Sequence, residues 1–412
     1  MHFSFRTAGE SHGRGLITLV EGLPSGLALD AAADIDPELT RRQGGYGRGG
    51  RMKIEKDAAE FIAGVRLGET IGAPLALAIW NRDWQNWQTA MAAEAKADAE
   101  QKTLRRVHLP RPGHADLAGV LKYDRSDARD ILERASARET TARVAAGAIA
   151  KRLLREFGIT VGSHIVMLGG IEADVTADLP ADLNAAADES PLRTLDRMAE
   201  TRMIAAIDAA RAAGNTLGGT FEVVARGVPV GLGSHVSWDR KLDGRIAHAL
   251  MSIQAMKGVE IGMGFRAAAL HGSDVHDEIT SDASQASTGG YRRTRNNAGG
   301  LEGGITTGAP IVARVAMKPL SSLMKPMKSV DLRTNAPADA VRERSDVVAL
   351  AAAGVVGEAM LAIVLADAML EKFGGDSLRE MRRNYDGYMQ QLMDRRAAID
   401  EARSHAADAP AE

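Results

Sequence analysis

The segment that most constrains the fold runs from Val347 to Ala366, the most apolar part of the chain. It extends into an Ala-rich helical pattern over Ala349–Phe373, closed by Gly374-Gly375. A helix that is apolar all round has to be covered on every face. Glu358 interrupts the segment, so no uncharged run approaches the roughly 18 residues that a membrane helix needs. The expectation is therefore a helix of a soluble protein rather than a membrane span. Its small side chains predict close packing inside the protein or against a partner subunit.

Around that helix the pattern alternates between sheet and helix. Strands are expected over His2–Thr7, Gly15–Glu21, Ala73–Ile79, Thr220–Ala225 and Ile311–Met317. Asp36-Pro37 reads as an N-cap with a first-turn proline, opening a helix that stops before Gly44-Gly45. Arg138–Phe157 is the clearest amphipathic helix, with Val144, Ala148, Leu153 and Phe157 on one face and Gly158 as its stop. No repeat or linker cuts the chain, which reads as one catalytic domain over 1–403 with a disordered tail at 404–412. Ala90–Leu104 and Ala173–Leu192 read as solvated surface inserts without a catalytic role.

Composition removes whole classes of chemistry. With no Cys among 412 residues, disulfides, thiolate catalysis and Cys-ligated metals are excluded. His271 and His276, beside Asp274 and Asp277, match no standard ligand spacing, and no metal is expected. The net charge of −3 gives no global basic field, and Tyr46 is the lone aromatic of the most basic loop, so nucleic acid is not expected as a partner. Met1–Thr7 lacks the pattern of a secretory leader, and the reading is a soluble, cytoplasmic protein with no membrane contact.

Two motif matches mislead. Gly9-Glu10-Ser11-His12-Gly13 fits a nucleophile elbow, but only eight residues precede it, too few for the sheet such a serine needs. Gly45-Tyr46-Gly47-Arg48-Gly49-Gly50 fits a dinucleotide fingerprint, but a helix rather than a strand precedes it.

Local charge carries more information. Thr40–Lys53 holds Arg41, Arg42, Arg48, Arg51 and Lys53 with no acid among them. Such a cluster on a glycine-rich loop calls for an anion, which guanidinium groups hold bidentately. Arg105, Arg106 and Arg111 lead into Pro112-Gly113-His114-Ala115-Asp116. Arg134-Ala135-Ser136-Ala137-Arg138 opens the strongest helix, whose N-terminus is itself an anion site. His114, in a turn between these motifs, is a general-acid candidate. Asn296–Ile305 and Lys318-Pro319-Leu320-Ser321-Ser322 form a third glycine- and serine-rich cluster, and Arg344-Ser345-Asp346 adds one more Arg and a carboxylate.

Taken together and in order, these residues resemble the chorismate synthase family over nearly the whole chain. The segments that carry the likeness are Gly9–Gly13, Arg41–Arg51, Arg111–Asp116, Arg134–Thr140, Gly272–Asp277, Asn296–Gly304 and Lys318–Ser322. Arg344–Asp346 reads R-S-D where many members have R-H-D. The resemblance implies an α+β fold, a β-α-β sandwich with helices packed between antiparallel sheets, assembled as a homotetramer. It implies a lyase that converts 5-enolpyruvylshikimate 3-phosphate to chorismate by trans-1,4 elimination of phosphate, with reduced FMN and no net redox change. NADPH would enter only indirectly, to reduce the flavin, and an external reductase is expected because no added domain is visible. Carried over by motif, Arg42, Arg48, Arg51, Arg111, Ser136, Arg138 and Arg344 would hold substrate anions. Arg42 and Arg48 also lie where a nicotinamide phosphate has been placed in the family, but the substrate is the assignment made. His114 would protonate the departing phosphate, His12 would stand by the flavin N1 region, and Asp346 would help remove the carbon-6 proton together with flavin N5. Flavin contacts would come from Arg134, Ala135, Ser136, Gln254, Ala255, Gly303, Lys318, Pro319, Leu320, Ser321, Ser322 and Arg344. A flavin- or nucleotide-phosphate-binding protein without elimination chemistry is the alternative, and it gives no reason for His12, His114 and Asp346 to converge.

Overall fold

The computed structural model describes residues 2–50, 55–96, 103–175, 178–282, 284–343 and 346–407. Arg51 and Arg344, both named above as anion-binding residues, lie outside the described residues.

Two antiparallel sheets frame the chain. The first contains β1 (Ser4–Ala8), β2 (Gly15–Glu21), β3 (Glu60–Ala63) and β4 (Leu75–Trp80) in the order β1-β2-β4-β3. The second contains β5 (Thr160–Leu168), β6 (Ile171–Glu172), β7 (Gly219–Arg226), β8 (Met256–Ile261) and β9 (Ile311–Met317) in the order β8-β9-β7-β5-β6. Alternation sets the register of β2, where Leu16, Thr18 and Val20 face inward while Ile17 and Glu21 face out.

The α-helices longer than four residues are α1 (Asp36–Gln43), α2 (Asp116–Tyr123), α3 (Arg129–Ala135), α4 (Thr140–Arg155), α5 (Leu183–Asp188), α6 (Arg197–Ala212), α7 (Leu242–Met251), α8 (Leu350–Phe373) and α9 (Leu378–Ala407). Helix α4 lies against β1 and β2, α8 lies against β5 and β7, and the two helices pack on each other. That contact is close because Gly147 of α4 has no side chain: a Cβ there would fall 2.2 Å from the Cβ of Ala359. Helix α8 is long and apolar enough to cross a membrane by composition, but 94% of its most apolar 18-residue window is buried within the protein. Each fully buried Leu on it contributes about 1.5–3 kcal/mol.

The charge inside α8 is the exception, and it is heavily satisfied. Glu358, fully buried, accepts hydrogen bonds from Arg41 Nη1 (2.9 Å) and Nη2 (3.0 Å), Lys151 Nζ (2.6 Å) and Arg193 Nη2 (2.9 Å). Ser163 Oγ (2.6 Å) and Asn184 Nδ2 (3.2 Å) complete the shell. Burial alone would push this carboxyl up, but Lys151, Arg41 and Arg193 outweigh it and hold Glu358 well below the ordinary carboxylate value.

Three expectations change here. Arg41 is not an uncompensated anion binder, since Glu38 (2.7 Å), Asp188 (2.7 Å) and Glu358 claim its guanidinium. The Ala173–Leu192 segment is not wholly a solvated insert, because Leu183, Ala187 and Leu192 are buried and Asn184 and Asp188 join the Glu358 network. The final helix runs to Ala407, past Ser404, where the sequence reading began its tail.

Candidate active site

Loops from both sheets and the first turns of α8 enclose a cavity of about 520 Å³. Its lining includes Ser11, His12, Arg42, Arg48, Arg111, His114, Ala135, Ser136 and Arg138. Gln254, Ala255, Lys318, Pro319, Leu320, Ser321, Ser322 and Asp346 line it as well. Leu132, Ile253, Met256, Met317, Ala352, Ala353 and Val356 supply apolar wall, so a flat hydrophobic ring and a polyanion could share the space.

The anion demand comes from Arg42 and Arg138. Ser136 has extended backbone, and its Oγ accepts the Arg138 N–H at 3.2 Å, capping the turn Ala137–Glu139 that leads into α4. That turn buries Arg138, which donates from Nε to Asn81 Oδ1 (2.9 Å) and from Nη1 to both oxygens of Asp57 (2.7 and 2.8 Å). Arg42, on the last turn of α1, donates from Nε to Thr140 Oγ1 (2.9 Å) and from Nη2 to the Ala137 carbonyl (2.7 Å). One nitrogen of each remains. Arg42 Nη1 and Arg138 Nη2 are buried without a hydrogen-bond partner among the described residues, with Asp57 and Glu55 no nearer than 3.9 Å. Burial, then the charges of Arg138 and Arg48, pushes Arg42 down to about 9. A buried, partly unpaired cation beside two others is costly, and an anion in the cavity relieves it.

The loop before α2 holds the first histidine. Gly113 sits at φ +77°, where a side chain would be strained, and this lets Arg111–Ala115 turn back on itself. Asp116, fully buried in the first turn of α2, accepts from the Arg111 backbone N–H (3.0 Å), Arg111 Nε (2.8 Å) and Nη2 (3.1 Å), and His114 Nδ1 (2.5 Å). Desolvation pushes Asp116 up, but the hydrogen bonds from His114 and Arg111 prevail and hold it well below its usual value. A carboxylate that only accepts puts the proton on Nδ1 and leaves Nε2 for the cavity. Arg111 Nη1 donates to Ser322 Oγ (2.8 Å), and Lys318 Nζ donates to the Gly113 carbonyl, so the Lys318–Ser322 segment is tied to the histidine loop.

His12 is oriented in the same manner. Glu133 of α3 accepts from the His12 backbone N–H (2.8 Å) and from its Nδ1 (3.0 Å to each oxygen). Burial raises Glu133, but His12 and then Arg129 bring it below the ordinary value. Asp346 accepts the Gly49 N–H (2.6 Å) and lies 3.3 Å from Arg48 Nε. Its geometry is therefore set by the α1–β3 loop.

Some expected residues lie elsewhere. Arg134 does not line the cavity, because its guanidinium donates to the carbonyls of Gly9 (3.0 Å) and Thr7 (2.7 Å), fastening the end of β1. Gly303 sits in a hairpin turn between Leu301–Glu302 and Ile305–Thr306, away from the lining. The Asn296–Gly304 cluster binds its own neighbour instead: Asp277 accepts the backbone N–H groups of Asn297 and Ala298 (3.0 Å each). Sequence reading missed Glu55, Asp57, Asn81 and Glu133, acids and an amide that reveal their partners only once the chain is folded. A second cavity of about 570 Å³ includes Arg41 and Lys151, but both are paired with Glu38 and Glu358, so it shows no comparable anion demand.

Known proteins match this chain along nearly its full length. The chorismate synthase of Geotalea daltonii is 55% identical over 395 residues, covering 95% of this chain and 99% of that protein. That of Aquifex aeolicus is 52% identical over 396 residues, covering 94% and 98%. A crystal structure of a chorismate synthase superposes with a TM-score of 0.76 at 44% identity, covering 96% of this chain and 99% of that one. With the chorismate synthase family model also matching residues 3–370, the chain belongs to the chorismate synthase family.

Proposed function

We propose that this cavity is where the elimination takes place, with reduced FMN as the flavin and the side chains described above as its machinery. The enzyme is a lyase of the shikimate pathway that converts 5-enolpyruvylshikimate 3-phosphate to chorismate and phosphate. One observation carries the site assignment: Arg42 Nη1 and Arg138 Nη2 are buried without a hydrogen-bond partner among the described residues, in a protein of net charge −3. The substrate brings two carboxylates and a phosphate, which answer that demand.

In this reading Arg42, Arg48, Arg111 and Arg138 hold the substrate anions, with Ser136 beside them, and so fix the ring against the apolar wall. His114, its Nδ1 held by Asp116, presents Nε2 to the bridging oxygen of the phosphate and, acting from its imidazolium form, donates the Nε2 proton as the carbon–oxygen bond breaks, leaving the neutral Nδ1–H ring. Asp346, steadied by Gly49 and Arg48, accepts the proton lost from carbon 6. His12, steadied by Glu133, presents Nε2 toward the flavin ring. A reduced flavin held here would supply transient electron density to the substrate ring without net oxidation. Gln254 Oε1, buried without a hydrogen-bond partner among the described residues, suits the N–H of such a ring, and Ala255 and Lys318–Ser322 line its remaining contacts.

The layering of α4 and α8 against the two sheets supports reading the architecture as the family's β-α-β sandwich. A homotetramer in the cytoplasm, with NADPH acting only to reduce the flavin, completes the proposal. Light scattering of the purified protein tests the assembly. The chemistry is tested by anaerobic phosphate release from the substrate. Turnover is expected with reduced FMN and not with oxidised FMN or NADPH alone, and stoichiometric flavin oxidation per chorismate would falsify the catalytic role.

A further inference from the structure

The hydrogen bonds to Glu133 hold one edge of the His12 ring, but they do not fix its plane. An imidazole tethered through Nδ1 alone can still rock about that contact, sweeping Nε2 across the cavity. Trp87 removes this freedom. Its ring is stacked on His12, with centroids 3.8 Å apart and planes 20° from parallel. Trp87 follows directly on the turn Arg82–Asn86, which leaves β4, so its position is referred to the first sheet.

Trp87 is itself held firmly. Its Nε1 donates to Asp83 Oδ2 (3.0 Å), its backbone N–H donates to the Trp84 carbonyl (2.9 Å), and the residue is 8% exposed. The Arg105 guanidinium lies 4.0 Å from the ring centroid and donates from Nη2 to the Asn86 carbonyl (3.0 Å). Arg129 lies 5.2 Å from the same centroid and also donates to Glu133 (2.8 Å). One arginine thus braces both groups that hold His12. Trp87 does not line the cavity, so an effect on the reaction must pass through His12.

We propose that Trp87 is a positioning residue for His12, fixing the imidazole plane so that Nε2 points into the cavity. This rests on the role given to His12 above. A displacement of about 1 Å in a reacting group can cost as much as about 100-fold in rate. Trp87→Leu is therefore expected to lower kcat by about 10–100-fold while KM for the substrate stays within about threefold. Trp87→Phe, which keeps an aromatic face, should recover kcat to within about threefold of wild type. In a His12→Ala background, Trp87→Leu should change kcat by less than about twofold, because coupled residues are not additive. The same loss on both backgrounds overturns the proposal, as does wild-type kcat in Trp87→Leu.

The ring geometry is also read without turnover. The proton signal of His12 Cε1–H, identified by its disappearance in His12→Ala, should lie upfield under the indole ring current and move downfield in Trp87→Leu. An unshifted signal in the wild-type protein refutes the stacking. If His12→Ala turns over normally, the role of His12 fails while this signal still decides whether Trp87 sets its ring. Should Trp87→Leu not fold, Asp83→Ala frees the indole while keeping it. A several-fold fall in kcat that vanishes on the His12→Ala background supports the proposal, and a fall that persists there overturns it.

Discussion

Replacing Arg42 with Met should make the ligand-free protein more stable and the enzyme much worse. Burial, with Arg138 and Arg48 beside it, takes Arg42 from the ordinary guanidinium value down to about 9. At about 1.4 kcal/mol for each tenfold change, holding that charge costs up to ~5 kcal/mol. Two hydrogen bonds oppose this, from Nε to Thr140 and from Nη2 to the Ala137 carbonyl, worth about 1.5 kcal/mol each at the low end for a charged donor. The carbonyl is not stranded by the substitution, since Thr140 Oγ1 also donates to it at 2.6 Å. Arg42→Met should therefore raise the unfolding free energy by about 1–2 kcal/mol once the upper bound is discounted for relaxation. A base whose folded value lies below its unfolded value costs stability wherever it is charged. The gain should accordingly be constant below about pH 9 and shrink above it. Loss of charge-assisted bonds to the substrate should raise KM by about 10–100-fold. Urea unfolding of the apo protein and steady-state kinetics test the two halves. A lower urea midpoint at unchanged slope, or a KM within threefold of wild type, would refute the argument.

Other outcomes follow from the same geometry. His114→Ala should lower kcat by ~10²–10⁴ while substrate affinity changes little, measured by single-turnover chorismate formation and equilibrium binding. Asp346→Asn keeps the shape and removes the proton acceptor, so flavin affinity by fluorescence should persist while elimination slows by about 100-fold or more. Glu358→Gln leaves Arg41, Lys151 and Arg193 short of a buried counter-charge and should cost about 3–5 kcal/mol in urea unfolding. Asp116, Glu133 and Glu358 are all held below their ordinary values, so their contribution is intact above about pH 5 and lost as pH falls below about 4. Thermal midpoints between pH 3 and 8 should show that one-sided dependence.

Much of the frame was legible because periodicity is a local signal. Strands Gly15–Glu21 and Ile311–Met317 and helix Asp36–Gln43 occupy the expected residues, and Leu350–Phe373 begins one residue later than read. The helix expected over Arg138–Phe157 starts as α4 at Thr140, because Ala137–Glu139 forms a separate tight turn capped by Ser136. The site was legible as far as motif order reaches: His12, His114, Asp346 and four of the arginines meet in one cavity. What escaped was pairing across the chain. Nothing near Arg138 in sequence announces Asp57, 81 residues away, and nothing near His12 announces Glu133, 121 residues away.

Arg41 and Arg42 show why charge read along a sequence is only half an argument. They are consecutive, identical in type and on one short helix, yet the 100° step between neighbours sends them to opposite fates. Arg41 turns toward α8 and meets Glu38, Asp188 and Glu358, which hold its pKa well above the usual value. Arg42 turns toward Arg138 and Arg48 and keeps a nitrogen without a hydrogen-bond partner among the described residues, while burial and those two charges pull its pKa down. One cation is used to anchor the helix; the other is left costly until an anion arrives. The rigid Glu358 network is what makes that second state tolerable, since a helix fixed by several buried hydrogen bonds cannot rotate Arg42 out to water. The same frame that holds α8 in the core thus fixes Arg42 at the proposed anion site, and a protein of net negative charge gathers Arg42, Arg48, Arg111 and Arg138 around one cavity.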